Sequence, residues 1–190
     1  IKNVLKDIGL EQVTIFSPSS RDGYGGLGVQ TRDLMRTVLR GLVCADVLRA
    51  VVHRTRPYEV TRGDADRVHD EAIEAVSRVL EQPGVDNKIR MRQLEAALVE
   101  ARGQFRRIAT RHDQRVRIAV LGEIYCRLTP FANNALVRKI EDLGGECVLA
   151  PLVELLQRGQ LLLVQAIEDG DVNLVLVLRQ LAEDPEARLD

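Results

Sequence analysis

The sequence predicts a three-layer α/β fold with a mainly parallel sheet. The first observation is the stretch Arg117–Pro151, which has the pattern of strand, loop, helix, turn and strand, the unit of a parallel α/β sheet. The second is the alternation of short β-branched runs with segments of helical periodicity elsewhere. We therefore expect about four strands. They are expected near residues 12–17, 117–122, 146–150 and 172–177.

The N-terminal region begins with the end of a helix, residues 1–8, which Gly9 is expected to cap. A short apolar run, Val13–Phe16, then leads into the glycine- and serine-rich loop Ser17–Gly28. Such a loop at a strand end can bind an anion with its backbone N–H groups. The loop lacks the GxxxxGK[ST] pattern, so an ordinary flexible connection is at least as good an interpretation.

Residues 31–110 predict a block of three long helices inserted between the first two strands. The helices are expected at 31–55, 65–81 and 88–110. Asp64 is the expected N-cap of the second helix. His53 lies near the end of the first, where a cation would complement the helix dipole. Apolar residues at helical spacing predict the buried side of the third helix: Ile89, Leu94, Leu98, Ala101, Phe105 and Ile108.

The stretch after residue 116 contains the first places to look for function. Ile118–Leu121 is a continuous apolar run, which predicts a strand buried on both faces. The loop Ile124–Phe131 follows, and then a helix, Ala132–Leu143, that Gly144-Gly145 ends. Side chains at the carboxyl end of such a strand face the crevice where α/β proteins bind ligands. The candidate site residues are Glu123, Arg127, Asn133 and Asn134, with Ser19, Ser20, Tyr24 and Gly25 from the glycine-rich loop.

Three pieces of the chain resemble, in the expected order, the 2-hydroxyacyl-CoA dehydratase and benzoyl-CoA reductase superfamily. They are SPSSRDGYGGLG (Ser17–Gly28), GLVCADVLRAVVHRTRPYEVTRGDADRVHDEAI (Gly41–Ile73) and GEIYCRLTPFANNALVRKIEDLGGE (Gly122–Glu146). The closest branch is the dehydratase-like module that accompanies ATP-dependent acyl-CoA dehydratase activases. The resemblance implies lyase chemistry on acyl-CoA thioesters in anaerobic metabolism, with an ATP-driven activase or another subunit as partner.

The resemblance also implies a four-iron, four-sulfur cluster in the full-length protein. In the family a helix and strand comparable to residues 159–178 lead to a cysteine-bearing loop that helps hold this cluster. The corresponding stretch here is LVLRQLAEDPEARLD, which has no cysteine, and cluster ligation requires thiolates. We therefore expect no cluster or tightly bound metal in this chain. Either the cluster motif lies in a missing part of the protein or this member has lost it.

Two interpretations of the candidate site stay open. In the functional one, Arg127 and the backbone amides of the two loops contact an anion, such as the phosphates of a CoA thioester. In the structural one, Glu123 and the asparagines only tie the loop and cap the helix that begins near Ala132. Glu123 is expected to accept hydrogen bonds from its own loop or from the amides of Asn133 or Asn134.

Composition limits the remaining classes. The 27 basic and 28 acidic residues nearly cancel and aromatic content is 3%, which argues against nucleic-acid binding. No run of about 18 apolar residues exists, so we expect no membrane span. The odd, scattered cysteines indicate a reducing compartment, the cytoplasm. Cys44 and Cys147 are expected in the core, whereas Cys126 lies in the crevice loop beside Arg127.

Two functional classes follow. The first is a fragment of an enzyme that acts on or near acyl-CoA thioesters once missing cluster-binding parts complete it. The second is a non-catalytic α/β module that binds a partner subunit or a small anionic ligand. The chain starts in the middle of a helical pattern and without Met, which indicates a fragment; we expect residues 1–190 to form one α/β domain.

Overall fold

The computed structural model describes residues 1–15 and 31–152. The chain divides into two compact units, Ile1–Val38 and Leu39–Asp190. Its fold mixes helices with a parallel pair of strands. The predicted strand at 172–177 and the glycine-rich loop, with Ser19, Ser20, Tyr24 and Gly25, lie outside the described residues.

The first unit begins with helix α1, Lys2–Asp7. The chain then turns: the Leu10 N–H donates to the Leu5 carbonyl (2.8 Å) and the Val13 N–H to the Leu10 carbonyl (3.1 Å). Residues 12–15 consequently form turn, bend and irregular backbone, and not the start of the predicted strand at 12–17. The local turn bonds occupy backbone groups that a strand would have to pair elsewhere.

Three long helices lie where the sequence predicts them, and among the described residues no strand precedes them. Helix α2 spans Thr31–Thr55, α3 spans Asp64–Glu81 and α4 spans Asn87–Arg106. A single 3-10 turn, Arg56–Tyr58, follows α2. The part of the insert in the second unit, residues 39–110, is called the helical block below. Its apolar core consists of Val43, Cys44, Leu48, Val52, Ala65, Val68, Ala72, Val76, Leu94, Leu98, Ala101, Phe105 and Ile108.

Two details of the helical block differ from the sequence prediction. The N-cap of α3 is Gly63, with φ of +98°, and Asp64 is the first helical residue. The buried Glu59 carboxylate takes the capping role, because it accepts hydrogen bonds from the N–H groups of Gly63 and Ala65 (both 2.8 Å). Ile89 is exposed, since it lies in the first turn of α4, which the Asp86 side chain caps.

The second part of the unit, residues 116–149, is called the βαβ segment. It contains strand β1 (Val116–Val120), the short helices α5 (Ile124–Leu128) and α6 (Leu136–Asp142), and strand β2 (Gly145–Leu149). The strands run parallel, with Val116 opposite Gly145 and Val120 opposite Leu149. The prediction of a parallel strand–helix–strand unit is thereby confirmed, with each strand starting one residue earlier than expected.

The burial predicted for β1 is wrong. Ile118 is 40% exposed and Leu121, beyond the strand end, is 76% exposed. Helix α6 packs against β2, and within residues 1–15 and 31–152 the sheet has no third strand. A strand expected to be buried on both faces is therefore covered on neither along most of its length.

The predicted helix Ala132–Leu143 begins late, at Leu136. Asn134 and Ala135 both have a φ of +52°, which is incompatible with a right-handed helix. Of the predicted apolar face only Ile140 is buried, and Leu143 is 88% exposed. The loop expected at 124–131 instead contains α5.

Gly145 allows α6 and the sheet to approach closely. A Cβ atom at this position would lie 2.9 Å from Ile140 Cγ2, 3.1 Å from the Ile140 carbonyl oxygen and 3.1 Å from Ile118 Cδ1. The preceding Gly144 has a φ of +87° and no such neighbours. The two glycines predicted to end α6 therefore serve different purposes: a left-handed turn and a close contact.

Candidate functional site

Charged side chains connect the βαβ segment to the helical block. Arg56, in the 3-10 turn, donates from Nε and Nη2 to the two oxygens of Glu141 on α6, each at 2.7 Å. Its Nη1 donates to Asp66 of α3 at 2.9 Å. Arg138 of α6 donates to both oxygens of the same Asp66, at 2.7 and 2.8 Å. Glu141 is buried and the Arg56 side chain is 9% exposed. The Arg56–Glu141 contact is bidentate, with two nitrogens donating to two oxygens, which is the strongest geometry for this pair.

These contacts set the protonation of the network. Burial on its own disfavours charged forms, but the hydrogen bonds from Arg138 and Arg56 outweigh it and lower the pKa of Asp66 below its usual value. Burial alone would lower the pKa of Arg56. The hydrogen bonds and charges of Glu141 and Asp66 have the opposite and larger effect, so the pKa of Arg56 is raised. Asp66 and Arg56 therefore stay charged at neutral pH.

A pocket of about 200 Å³ opens beside this network. Its basic wall consists of Arg49 and His53 from α2, Arg56, Arg127 from α5 and Arg138 from α6. Its apolar wall consists of Leu128, Pro130, Ala135, Val137 and Leu149. Asn133 completes the lining. The helical block and the βαβ segment thus both contribute to one cavity, whose lining combines basic and apolar residues.

Arg127 differs from the other arginines of the pocket. It is 7% exposed, and its Nε and Nη2 atoms are buried without a hydrogen-bond partner in the described part of the chain. No carboxylate of residues 1–15 or 31–152 forms an ion pair with it, whereas Arg49 pairs with Asp46, and Arg56 and Arg138 pair with Asp66 and Glu141. In Arg56 the corresponding Nε and Nη2 atoms donate to the Glu141 carboxylate. Arg127 therefore presents a complete bidentate donor edge with no acceptor.

The position of Arg127 is fixed by its own backbone neighbours. Glu123 caps α5, with its carboxylate accepting from the Cys126 N–H at 3.0 Å. Asn133 closes the other end: its Nδ2 donates to the carbonyls of Cys126 (2.9 Å) and Arg127 (3.1 Å). Its Oδ1 accepts from the Leu136 N–H at 3.1 Å, which starts α6. A helix of barely more than one turn thus holds Arg127 through side-chain capping at both ends.

His53 is the second buried polar group of the pocket. It is 8% exposed and its Nδ1 has no hydrogen-bond partner among the described residues. Burial, followed by the charges of Arg56 and Arg49, lowers its pKa to about 3. The imidazole is therefore neutral at physiological pH. The expected role of His53 as a cation at the end of α2 is wrong, because the surrounding arginines and the loss of solvent disfavour its charge.

The predicted site residues divide into three groups. Arg127 and Asn133 line the pocket. Glu123 is exposed and its backbone hydrogen bonds, chiefly from Cys126, lower its pKa; Asn134 is an exposed left-handed turn residue. Neither lies in the pocket wall. For Glu123 and Asn133 the capping interpretation holds, and the serine, tyrosine and glycine candidates of residues 19–25 lie outside the described residues.

Sequence reasoning missed the contributions of Arg49, His53, Arg56 and Arg138. One signal was available: Arg49, His53 and Arg56 follow one another at spacings of four and three residues, which places them on one helix face. Nothing in the local pattern indicated that this face meets α5 and α6, since that contact depends on tertiary structure.

A second polar cluster lies at the start of β2. The Tyr58 hydroxyl donates to Glu146 Oε2 at 2.8 Å, and Arg117 Nε lies 3.2 Å from Glu146 Oε1. The Arg115 guanidinium lies over the Tyr58 ring, 5.5 Å from its centroid. Burial and the Glu146 carboxylate raise the pKa of Tyr58 to about 12. Glu146 thus joins Tyr58 of the helical block to Arg117 of β1, and this cluster is a second connection between the helical block and the βαβ segment.

The cysteines do not fit an iron–sulfur cluster. Cys44 is buried in the core of the helical block, Cys147 is buried in β2, and Cys126 is exposed on α5. Three dispersed thiols cannot form the four-thiolate set of a typical cluster. Over residues 1–15 and 31–152, no group of His, Cys, Asp or Glu side chains is arranged to hold a metal ion.

No helix in the described ranges combines the length and apolarity needed to cross a membrane. Comparisons with models of protein families, with curated proteins and with solved structures found no match for this chain.

Proposed function

We propose that this domain binds a small anionic ligand in the pocket around Arg127. The observation that carries the proposal is the buried guanidinium of Arg127 with two unpartnered nitrogens. A buried charge without a counter-ion costs several kcal/mol, so proteins pair such charges or expose them. Within the described residues, Arg127 is neither paired with a carboxylate nor exposed to solvent. An anion bound from solution supplies the missing acceptor and removes this cost.

The surroundings of Arg127 indicate a ligand-binding site and not an accidentally unpaired side chain. The capped helix α5 and the Asn133 amide hold its backbone in place before any ligand arrives. Such preorganisation reduces the entropy lost on binding. Both unpartnered nitrogens are buried, so an anion reaches them only when the pocket lining shifts slightly. We therefore expect slow association, limited by this local opening.

The sequence resemblance gives a more specific form of the same proposal. If this domain belongs with the dehydratase-like modules, its anion is a phosphate of an acyl-CoA thioester, and its catalytic partner is a cytoplasmic, ATP-dependent activase with its own cluster. A further part of that proposal is the three-layer sheet with strands beyond β1 and β2. A partner subunit that inserts a carboxylate into the pocket is the corresponding non-catalytic form.

Ligand-induced stabilisation tests the proposal. Wild-type protein is heated with and without inorganic phosphate, short carboxylates and an acyl-CoA, and the unfolding midpoint is measured. A ligand at about 100 times its Kd stabilises the native state by about 2.7 kcal/mol. Arg127→Gln should abolish this effect. The matched control, Arg62→Gln, removes one charge from an exposed arginine outside the pocket and should respond like wild type.

The stability of wild-type protein and Arg127→Gln without ligand provides an independent test. Because Arg127→Gln removes an unpaired buried charge, we expect it to be at least as stable as wild type without ligand. A large loss of stability would instead mean that Arg127 has a structural partner. That result, together with no anion-induced shift in wild-type protein, would contradict the proposal.

A further inference from the structure

We infer that the anion is a compact aliphatic monocarboxylate, gripped side-on by the Nε and Nη2 atoms of Arg127 with its alkyl group against the apolar wall. This inference rests on the proposed function and narrows its ligand. It follows from the charge, the volume and the lining of the pocket.

The charge of the pocket matches a monoanion. Three of its four arginines meet carboxylates: Arg49 meets Asp46, and Arg56 and Arg138 share Asp66 and Glu141. The fourth, Arg127, has none in the described residues, and His53 adds no charge because its pKa lies at about 3. One positive charge is therefore left over. A carboxylate neutralises it, whereas a phosphate dianion would leave a buried negative charge.

The volume of the pocket matches a short chain. A cavity of about 200 Å³ corresponds to about six or seven water molecules at their share of liquid volume. That limit admits an acid of the size of butyrate. The pocket is partly open to solvent, so a larger molecule such as a nucleotide or a CoA thioester would place only one end in it.

The lining of the pocket matches an amphipathic ligand. Besides its basic side chains the pocket is lined by Leu128, Pro130, Ala135, Val137 and Leu149, which carry no polar side-chain group. A strongly hydrated inorganic anion would gain nothing from these apolar residues, whereas an alkyl group buried against them is removed from water and stabilised by the hydrophobic effect. Ligand pockets commonly combine such a wall with a few polar groups that fix orientation.

The protein contains an example of the proposed contact. In the wall of the same pocket Arg56 holds the Glu141 carboxylate with its Nε and Nη2 atoms, both bonds measuring 2.7 Å. Glu141 is itself a short alkyl chain ending in a carboxylate. The inferred ligand repeats this arrangement on Arg127, with a free acid in place of a side chain.

Calorimetric titration of the chain with four probes tests the inference. Butyrate should bind, and its uncharged isostere butyramide should bind about tenfold or more weakly, because hydrogen bonds to a charged acceptor are the stronger ones. Inorganic phosphate and octanoate should both bind more weakly than butyrate, the first through charge and the second through length. Butyrate binding should release or take up no proton, since His53 stays neutral.

Two variants locate the contact. Arg127→Lys keeps the positive charge but loses the bidentate edge, so butyrate affinity should fall about tenfold or more. Val137→Phe leaves Arg127 in place and fills the cavity, so it should also prevent binding. Arg62→Gln is the matched control and should bind butyrate like wild type. Circular dichroism of each variant confirms that the fold is retained before binding is compared.

The outcomes separate the inference from the proposed function. Tighter binding of phosphate than of butyrate, lost in Arg127→Lys, would overturn the carboxylate while leaving an anion site. Equal binding of butyrate and butyramide would overturn the Arg127 contact. If no probe binds in a manner that depends on Arg127, both the inference and the proposed function fail.

Discussion

In the helical block most buried side chains are apolar, whereas in the βαβ segment buried charges outnumber buried apolar groups. The buried apolar residues of the described βαβ segment are Ile140 and Cys147. Its buried charged residues are Arg127, Glu141 and Glu146. The first region is thus stabilised mainly by apolar packing, which is insensitive to direction. The second is attached through ion pairs and hydrogen bonds, which require fixed geometry. The pocket lies where the two regions meet.

This difference explains the location of the candidate site. A core of packed helices provides a rigid scaffold, because close-packed interiors resist small displacements. The βαβ segment adds short helices whose side chains are oriented by specific polar contacts. The candidate site therefore combines a rigid scaffold with side chains held in fixed orientations.

The largest expected loss of stability comes from a cavity in the core of the helical block. Leu94 is 0% exposed, and Leu94→Ala should lower the free energy of unfolding by about 4 kcal/mol, through lost burial and the cavity left behind. Urea unfolding followed by circular dichroism measures the change. Val99, 54% exposed on the same helix, provides the control: Val99→Ala should alter stability by less than about 0.5 kcal/mol. Similar losses in both variants would show that α4 is not packed as described.

A smaller and more local effect is expected in the βαβ segment. Glu141→Gln removes the charged partner that Arg56 contacts through two nitrogens, leaves Asp66 as its remaining carboxylate, and should cost about 3 kcal/mol. The adjacent Asp142 forms an exposed pair with Arg62, so Asp142→Asn should cost at most about 1 kcal/mol. Hydrogen exchange should show the loss in β2 and α6 before α4. Uniform loss across both regions would mean that they unfold as one cooperative unit.

The smallest effect concerns pH. The pKa of His53 falls from 6.5 to about 3 on folding. Between these pH values His53 is protonated in the unfolded chain but not in the native protein. The stability contributed by neutral His53 is therefore complete above about pH 6.5 and is lost as pH falls toward 3. Lowering the pH from 6 to 5 should cost about 1 kcal/mol from this residue. His53→Gln should remove that component, while the exposed control His112→Gln should retain it. Identical pH slopes in wild type and His53→Gln would place His53 in contact with solvent.

The sequence predicted the helical block well because its signals are local. Apolar periodicity, Pro57 and Pro83 located α2, α3 and α4 to within a few residues of their ends. The parallel pairing of β1 with β2 also followed from their pattern. The late start of α6 did not, since the left-handed conformation of Ala135 has no sequence signature; Asn134 is a residue type that adopts it more readily.

Of the candidate site, sequence reasoning identified Arg127 and Asn133 but not the rest of the pocket. Arg127 was found because it follows a strand end. Its lack of a partner is a property of the whole fold, since Asp66 and Glu141 are far from it in sequence and satisfy other arginines. The neutral state of His53 depends chiefly on its burial, which only the folded structure shows, since the charges of Arg49 and Arg56 are already close in sequence.

The contact between Gly145 and Ile140 has a consequence for how the two strands align. Parallel strands shifted by one residue would still form backbone hydrogen bonds, but such a shift reverses which face each side chain occupies. Glu146 would then take the place of Gly145 against Ile140, where a Cβ atom alone is already too close. The shifted arrangement would also separate Glu146 from Tyr58 and Arg117. A residue without a side chain thus disfavours one of the two possible one-residue shifts of β2 against β1.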